Sequence, residues 1–521
     1  MALVARTLAY FADRLWRRFE AVSADPLTTQ KTLLTQLLRK AADTQWGRQF
    51  HLHEISTIEQ FRQRVPITRY EDAAPLWHRA FDGARDVTWP GHTQFFALSS
   101  GTTAGNKLLP VTEDAIRANV RAGTILAVMM LRRGAAASGD RVKTVQLLGG
   151  GSFMYLGGST TLRPRGQCLC GDASGIMGRR IPFYVRKRRL PESDIAAITD
   201  WDQKIPQLVQ RYLSADIRAI SACPSWAALL FKQLLQYARD RNPAPNPRVG
   251  ELWPNFSYFV SFGMAFEPYR TSFLELIGRP IHFIDSYSSS EGGMNGIQEE
   301  DGGPLRLIVD NGVFFEFIPA DKALDANPPR LHFGEIQTGV DYAILLSTNG
   351  GIWAYPLGDV IRFESLSPPR FRFVGRTQLM LSAFGEHVTL EMIETAVSVA
   401  CRESDAIVAD YTIEPLYPSP TRSKPGHRWL MEFDRPPAEA STFIAAIDRS
   451  IRAACEDYDT HRTNNFGMDP PELTAVAPGT FYEWMKRHGK LGGQHKVPRV
   501  FRPEAAAELR AIAQERSGAK N

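Results

Sequence analysis

Ser257-Tyr-Phe-Val-Ser-Phe262, then Glu267 to Leu276, then Ile281-His-Phe-Ile284, then Asp285-Ser-Tyr287-Ser-Ser-Ser290-Glu291-Gly-Gly293 follow one another in one stretch of the chain. The first and third pieces are short, apolar runs, which predicts two buried strands. The piece between them predicts a helix. Strands alternating with helices indicate a mainly parallel sheet in an α/β protein. The fourth piece is polar and lies where the second strand ends.

Upstream, Trp226 to Tyr237 predicts a helix, and Ile217 to Ser221 and Lys143 to Leu148 predict strands. Thr93 to Leu98 predicts another strand, which turns abruptly into Ser99-Ser100-Gly101-Thr102-Thr103-Ala104-Gly105. A short extended piece (Lys107 to Val111) and a helix from Glu113 come next. Thr28 to Gln45 predicts a helix with Thr28 and Thr29 as caps, since Leu33, Leu34, Leu37, Leu38 and Ala41 recur at helical spacing. Met1 to Val22 predicts an amphipathic helix docked on the body.

Downstream, residues 303–359 change character. Val313-Phe-Phe-Glu-Phe317, Phe333-Gly-Glu-Ile336, Tyr342 to Leu346 and Ile352 to Tyr355 predict a β-rich subdomain. A boundary is expected near Gly375-Arg376. After it come a helix (Leu390 to Cys401), two strands (Ala406 to Thr412, Trp429 to Phe433) and a helix (Ser441 to Tyr458). The last fifteen residues are polar and expected to fray. The fold class is therefore α/β. It has a large N-terminal domain with mixed parallel sheets and a β-rich subdomain (residues 1–375), and a smaller α+β C-terminal domain (residues 376–521).

The 521 residues carry 61 Lys+Arg against 56 Asp+Glu, a net charge of only +5. That balance gives no reason to expect a nucleic-acid binder. Hydrophobic residues at 44% and charged residues at 22% exclude general disorder and suit a soluble globular protein. Five cysteines form no disulfide framework, which points to a reducing cytoplasm. Cys168-Leu-Cys170, one close pair, is weak ground for zinc. No apolar run approaches the roughly 20 residues of a membrane span.

Four segments carry chemistry, and each has a plain alternative. Ser99 to Lys107 offers hydroxyls and glycines that can cradle a phosphate, or else is a surface turn. It is not a Walker loop, because only three residues separate Gly101 from Gly105. Asp285 to Gly293 offers Tyr287 for stacking on a base and Glu291 for Mg²⁺ at a triphosphate, or else is a polar turn. Thr348 to Val360 puts Asp359 after a glycine at a strand end, where a carboxylate can accept from a ribose diol, or else closes a hairpin. Gly489 to Arg499 carries Lys496 in a glycine-bearing loop, or else is a solvated basic loop.

Taken together and in order, the first three segments resemble the phosphate, Tyr-Glu and Gly-Asp motifs of the adenylate-forming superfamily. More closely, the chain resembles the Gretchen Hagen (auxin-responsive) family of acyl acid amido synthetases. Val65-Pro-Ile-Thr-Arg-Tyr-Glu-Asp72, Phe95 to Thr103, Tyr287 to Gly292, Tyr355-Pro-Leu-Gly-Asp359 and Gly493-Gln-His-Lys-Val-Pro-Arg499 carry that likeness. It runs from about residue 28 to 505.

The resemblance implies a ligase using ATP and Mg²⁺. A carboxylic acid becomes an acyl-adenylate, and an amine, usually an amino acid, takes the acyl group as an amide. By position, Ser99, Ser100, Thr102 and Thr103 would hold the phosphates, with Ser290 also at the nucleotide. Tyr287 would lie against adenine, Glu291 would ligate Mg²⁺ and Asp359 would bind the ribose. Arg376 would sit by the ribose and phosphate, and Lys496 would reach the α-phosphate and acyl carboxylate. The C-terminal domain would swing about a hinge near Gln378.

The acyl pocket would lie among residues 149–161 and 173–182, with Phe153, Met154, Tyr155, Met129 and Met130 as an apolar wall, or else these five are core. Two positions depart from the family. Pro356 stands where Arg is usual, and His387 where Lys follows the hinge segment's Glu. Small-molecule acid and amine partners, no nucleic acid, no membrane and a cytoplasmic location follow from the same reading. An acyl-CoA ligase or a non-catalytic nucleotide- or acid-binding module stays open.

Overall fold

The computed structural model describes residues 2–100, 106–181, 183–242, 247–264, 266–377, 388–417, 422, 424–463, 468–491 and 496–518. Packing divides the chain into two compact units. The larger holds Met1–Met264 and Ile277–Arg372. The smaller holds Ala265–Leu276, Phe373–Leu491 and His495–Asn521.

The larger unit is built on a mixed sheet of eleven strands. Its parallel half runs His282–Ser289, Tyr258–Phe262, Ile217–Ala222, Ser152–Leu156 and Arg189–Leu190. The two strands read from residues 257–284 are therefore parallel neighbours, Phe259 opposite Phe283 and Phe262 opposite Ser286. Its antiparallel half is the β-rich segment, in the order Val313–Pro319, Asp341–Thr348, Ile352–Leu366, Pro369–Arg376, Leu305–Leu307 and Gly293–Gln298. A second sheet of four strands contains Phe95–Ser100 between Asn106–Val111 and Cys168–Gly171.

Helices cover these sheets through apolar stripes. Glu113–Ser138 lays Ile125, Met129 and Met130 against Val260 and Ile284, and Trp16 and Phe19 of the N-terminal helix Ala2–Ala24 join the same cluster. The leading helix does dock as its periodicity predicts. Among the described residues no helix is long and apolar enough to cross a membrane.

The smaller unit pairs Ile407–Leu416, Gly426–Arg435 and Glu472–Val476 in a three-stranded sheet. Leu390–Ser404 and Ala440–Ala454 pack on it through Ile393, Val397, Phe443 and Ile447.

Four local expectations change. Lys143 to Leu148 is not a strand but lies inside the helix Arg141–Gly150. Gly139 ends the preceding helix at φ 70, and the Asp140 side chain accepts from the Lys143 N–H to start the next. Phe333 to Ile336 is a turn. The two apolar residues are three apart, so one strand face could not hold both, and the turn buries both. The helix read from Thr28 starts earlier, at Pro26–Ala41, with Asp25 accepting from the Thr28 N–H and proline in the first turn. The C-terminal residues form the helix Pro503–Gly518, whose Ala506, Leu509 and Ile512 make a fully buried stripe. Polar residues on its other faces conceal that stripe from a composition-based reading.

Candidate functional site

Ser99 and Ser100 end the strand Phe95–Ser100 and pair with Lys107 and Asn106, so the hydroxyl-rich segment joins two antiparallel strands. Thr102 and Thr103 lie outside the described residues. On the returning strand the Lys107 ammonium donates to the Tyr355 hydroxyl at 3.0 Å. It lies over the rings of Tyr70 and Tyr355, 5.5 and 5.7 Å from their centroids. The Tyr70 hydroxyl in turn accepts from the Leu108 N–H at 2.9 Å. This locks the position of the lysine against two aromatic faces.

Tyr355 begins the segment Tyr355-Pro-Leu-Gly-Asp359 within the strand Ile352–Leu366. Leu345 pairs with Pro356 and Ala343 with Val360, so residues 357–359 bulge opposite the single residue Ile344. Gly358, at φ 84, supplies the left-handed backbone that such a bulge needs. Pro356 adjoins the interruption, where a missing N–H is tolerated. The bulge turns Asp359 inward, leaving it 5% exposed.

Tyr287, on His282–Ser289, donates its hydroxyl proton to Asp359 Oδ2 at 2.6 Å. Its ring meets Phe371 edge-on, centroids 5.5 Å apart. The expected adenine and ribose residues thus form one hydrogen-bonded pair. Next along the chain, Ser290 and Glu291 lie in the turn before Gly293–Gln298. That turn is held from several sides. Gly292 N–H donates to Ser289 Oγ at 3.0 Å, Asn295 Nδ2 donates to the Gly292 carbonyl at 3.1 Å, and Met294 N–H donates to Asn119 Oδ1 at 3.0 Å. A Cβ at Gly293 would come within 2.4 Å of Asn119, so the close approach requires glycine there.

Electrostatics ties the motifs together. Burial pushes the Tyr355 hydroxyl well above the usual tyrosine range, and the negative charges of Glu291 and Glu71 push the same way. Tyr355 therefore stays a neutral phenol between Lys107 and Glu291. Among the described residues no three His, Cys, Asp or Glu side chains cluster as a self-sufficient metal site. Glu291 suits Mg²⁺ all the same, because that ion is held by one or two carboxylates together with phosphate oxygens and water.

Two expected residues belong to the smaller unit. Arg376 is exposed at the end of Pro369–Arg376. Lys496 is exposed just before an anchored strap. Thr412 Oγ1 donates to the Pro498 carbonyl at 2.7 Å, Ile413 N–H to the Arg499 carbonyl at 2.9 Å, and Phe501 N–H to the Ile413 carbonyl at 2.8 Å. Arg499 is buried. It donates to Asp410 Oδ1 at 2.5 Å, to the Tyr411 carbonyl at 2.8 Å and to the Tyr269 hydroxyl at 3.2 Å. Burial pushes the Glu394 carboxyl up to about 7, against the pull of Arg499 and Lys496. His387 and Gln378 lie outside the described residues.

Of the five residues expected to wall an acyl pocket, Met129, Met130 and Phe153 pack with Trp16, Phe19 and Val260 as core. Met154 is fully buried. Tyr155 differs, stacking on Phe262 with centroids 5.8 Å apart. Sequence reasoning passed over Tyr70, Asn119, Asn295 and Glu394. Tyr70 and Asn119 serve partners 38 and 175 residues away, a pairing with no local signature.

Three family descriptions match the chain: the GH3 family N-terminal domain over residues 15–281, the central domain over 306–376 and the C-terminal domain over 391–505. The probable indole-3-acetic acid-amido synthetase GH3.12 of Oryza sativa subsp. japonica is 24% identical, over 95% of this chain and 94% of that protein. The jasmonoyl–L-amino acid synthetase JAR4 of Nicotiana attenuata is 22% identical, over 98% of this chain and 97% of its own. Among solved structures, AtGH3.15 acyl acid amido synthetase in complex with 2,4-DB superposes with a TM-score of 0.75 at 19% identity, covering 96% of both chains. A 2-hydroxyisobutyryl-CoA ligase in the postadenylation state shares the fold at TM-score 0.59 and 14% identity, over 93% of this chain and 91% of that one.

Proposed function

The chain belongs to the GH3 family, and from that premise we propose that it is an ATP- and Mg²⁺-dependent acyl acid amido synthetase. Its relatives are named as an indole-3-acetic acid-amido synthetase and a jasmonoyl–L-amino acid synthetase. In the first step a carboxylate oxygen of the acid attacks the α-phosphorus of ATP. A P–O bond forms, the bridging α–β P–O bond breaks, and pyrophosphate leaves. In the second step an amine nitrogen attacks the acyl carbon, AMP leaves, and the nitrogen gives up its proton.

The observation that carries this reading is the Tyr287–Asp359 hydrogen bond, which joins two motifs 72 residues apart at one strand-end site. Tyr287 would present a ring to adenine, and Asp359 would accept from the ribose hydroxyls. The backbone and hydroxyls of Ser99, Ser100, Thr102 and Thr103, with Ser290, would line the phosphates. The Lys107 ammonium stands on the strand that follows that segment. Glu291 would hold Mg²⁺, which when bound neutralises phosphate oxygens during the displacement. Arg376 and Lys496 would contribute cations from the smaller unit, Lys496 at the α-phosphate and carboxylate. No general base is needed in the first step, because an ordinary carboxylic acid is already ionised near neutral pH.

Pyrophosphate release from ATP with aryl, indole and aliphatic acids tests the first step. Release should depend on one class of acid, and Lys496→Ala should lower it about 100-fold, the scale of losing one transition-state charge contact. Silence with every acid, with Lys496→Ala equal to wild type, would leave a binding module. Mass analysis of the product formed with amino acids or with coenzyme A separates an amide from a thioester.

A further inference from the structure

Lys204 lies on the helix Trp201–Tyr212 and is only 2% exposed. Its ammonium stands over the Trp201 ring at 5.4 Å and makes no hydrogen bond or ion pair among the described residues. Near it, Arg189 forms the edge strand with Leu190. Its Nη1 donates to the Gly178 carbonyl at 2.7 Å, but its buried Nε has no partner. Asp172 is the carboxylate within electrostatic reach of Lys204, and Arg189 is a second cation within that reach. Tyr155 adds no charge, since burial pushes its hydroxyl up to about 12. Lys204 is brought down to about 8 by burial and so is still mostly protonated at neutral pH.

Lys204 is therefore withdrawn from water with one carboxylate in reach, the half-buried Arg189 adds a second positive charge near it, and both retain unused donors. Buried charges are ordinarily paired, and an uncompensated one is destabilising. One further anion would balance the charge and take up the donors. The stacked rings of Tyr155 and Phe262 lie beside these groups, Arg189 being 6.0 Å from the Tyr155 centroid. Gly178 leaves the room: a Cβ there would come within 2.9 Å of the guanidinium.

The sheet relates this cluster to the nucleotide motifs. Tyr155 pairs with Ser221, Ser221 with Val260, and Val260 with Ile284, three residues before Tyr287 on the same strand. Three strand spacings, roughly 14 Å, separate Tyr155 from Ile284.

We infer that Arg189 and Lys204 form a distal anion subsite, and that the acid activated by this protein carries a second carboxylate beyond an apolar or aryl middle. The inference rests on the adenylation reading and narrows its substrate class. The apolar walls favour the acid as the source of that carboxylate. The other source of the same chemistry is the carboxylate of an amino acid acceptor.

Two measurements separate these cases. The first compares pyrophosphate release, without any amine, for adipate, suberate and sebacate against hexanoate, octanoate and decanoate. At one length the dicarboxylate should be preferred in kcat/KM by about tenfold or more, the scale of a charge-assisted hydrogen bond. Lys204→Met, which keeps the volume and removes the charge, should erase most of that ratio, as should Arg189→Met. A ratio near one in wild type, or one unchanged in both variants, overturns the inference. So does a loss confined to the KM for glycine in the full reaction, which assigns the cations to the acceptor instead. The second is calorimetric binding of suberate to the wild-type protein and to Lys204→Met. It reads the subsite even if no acid releases pyrophosphate, so failure of the adenylation reading is visible separately. Lys204→Met should also melt higher than wild type without ligand. A lower melting temperature together with unchanged suberate binding marks Lys204 as structural and sinks the proposal.

Discussion

Arg499 in the smaller unit and Lys204 in the larger are both cations withdrawn from water, and their surroundings differ in one respect. Arg499 is well supplied with acceptors. Asp410, the Tyr411 carbonyl and the Tyr269 hydroxyl take its donors, and the Tyr411 ring lies 4.0 Å below the guanidinium. Lys204 has an aromatic face and, among the described residues, no acceptor. A cation that serves the fold is completed by the fold. One left incomplete lowers stability and persists where a ligand completes it. The Tyr287–Asp359 pair stands between these extremes, with one strong bond made and a carboxylate able to accept more.

The sharpest way to break this contrast is Arg499→Met. It leaves Asp410 unpaired where water is scarce, and should lower unfolding free energy by about 3–5 kcal/mol. Adding Asp410→Asn should recover part of the loss. A variant as stable to denaturant as wild type would mean that the paired cation contributes nothing, and the contrast would lapse.

A smaller effect is expected at Glu394. Its folded pKa of about 7 lies above the 4.5 of the free side chain, so the folded state holds the proton longer. Its contribution to stability is complete below about pH 4.5 and declines as pH rises to about 7. Glu394→Gln cannot ionise. It should match wild type near pH 4.5 and exceed it at pH 8 by about 1–3 kcal/mol. Melting curves at the two pH values check this, and a difference independent of pH would show that the carboxyl is well solvated.

The smallest effect concerns the intermediate case. Tyr287→Phe removes one hydrogen bond to a buried carboxylate and should lower stability by about 1–2 kcal/mol. It keeps the ring, so the KM for ATP should rise less than in Asp359→Ala. Equal losses in the two variants would place the weight on the hydroxyl–carboxylate bond rather than on a separate contact of the carboxylate with the nucleotide.

Much of this was legible from residue order. The strands around residues 258–284 announced themselves as short apolar runs. The turn from Ser286 to Gly293 and the segment from Tyr355 to Asp359 could be recognised as motifs because glycines and carboxylates sit at fixed offsets. The helix Arg141–Gly150 could not be recognised so easily. Val145, Leu147 and Leu148 suit a strand, and only the Asp140 cap and the Gly139 stop decide otherwise. The bulge that buries Asp359 was also hidden, since it depends on the register against Asp341–Thr348.

The sequence by itself determined the α/β class, the family and which residue types stand at the nucleotide motifs, because these are properties of local pattern and spacing. Only the tertiary structure decided that Tyr287 bonds Asp359, that Lys107 rests on Tyr70 and Tyr355, and that Met129 and Met130 are core. It alone brought Arg189, Lys204 and Asp172 to one place with donors to spare. The physical reason is that hydrogen-bond satisfaction and desolvation depend on distance in space. Residues such as Asp172 and Lys204 acquire a shared electrostatic fate only once the sheet and its helices fix that distance.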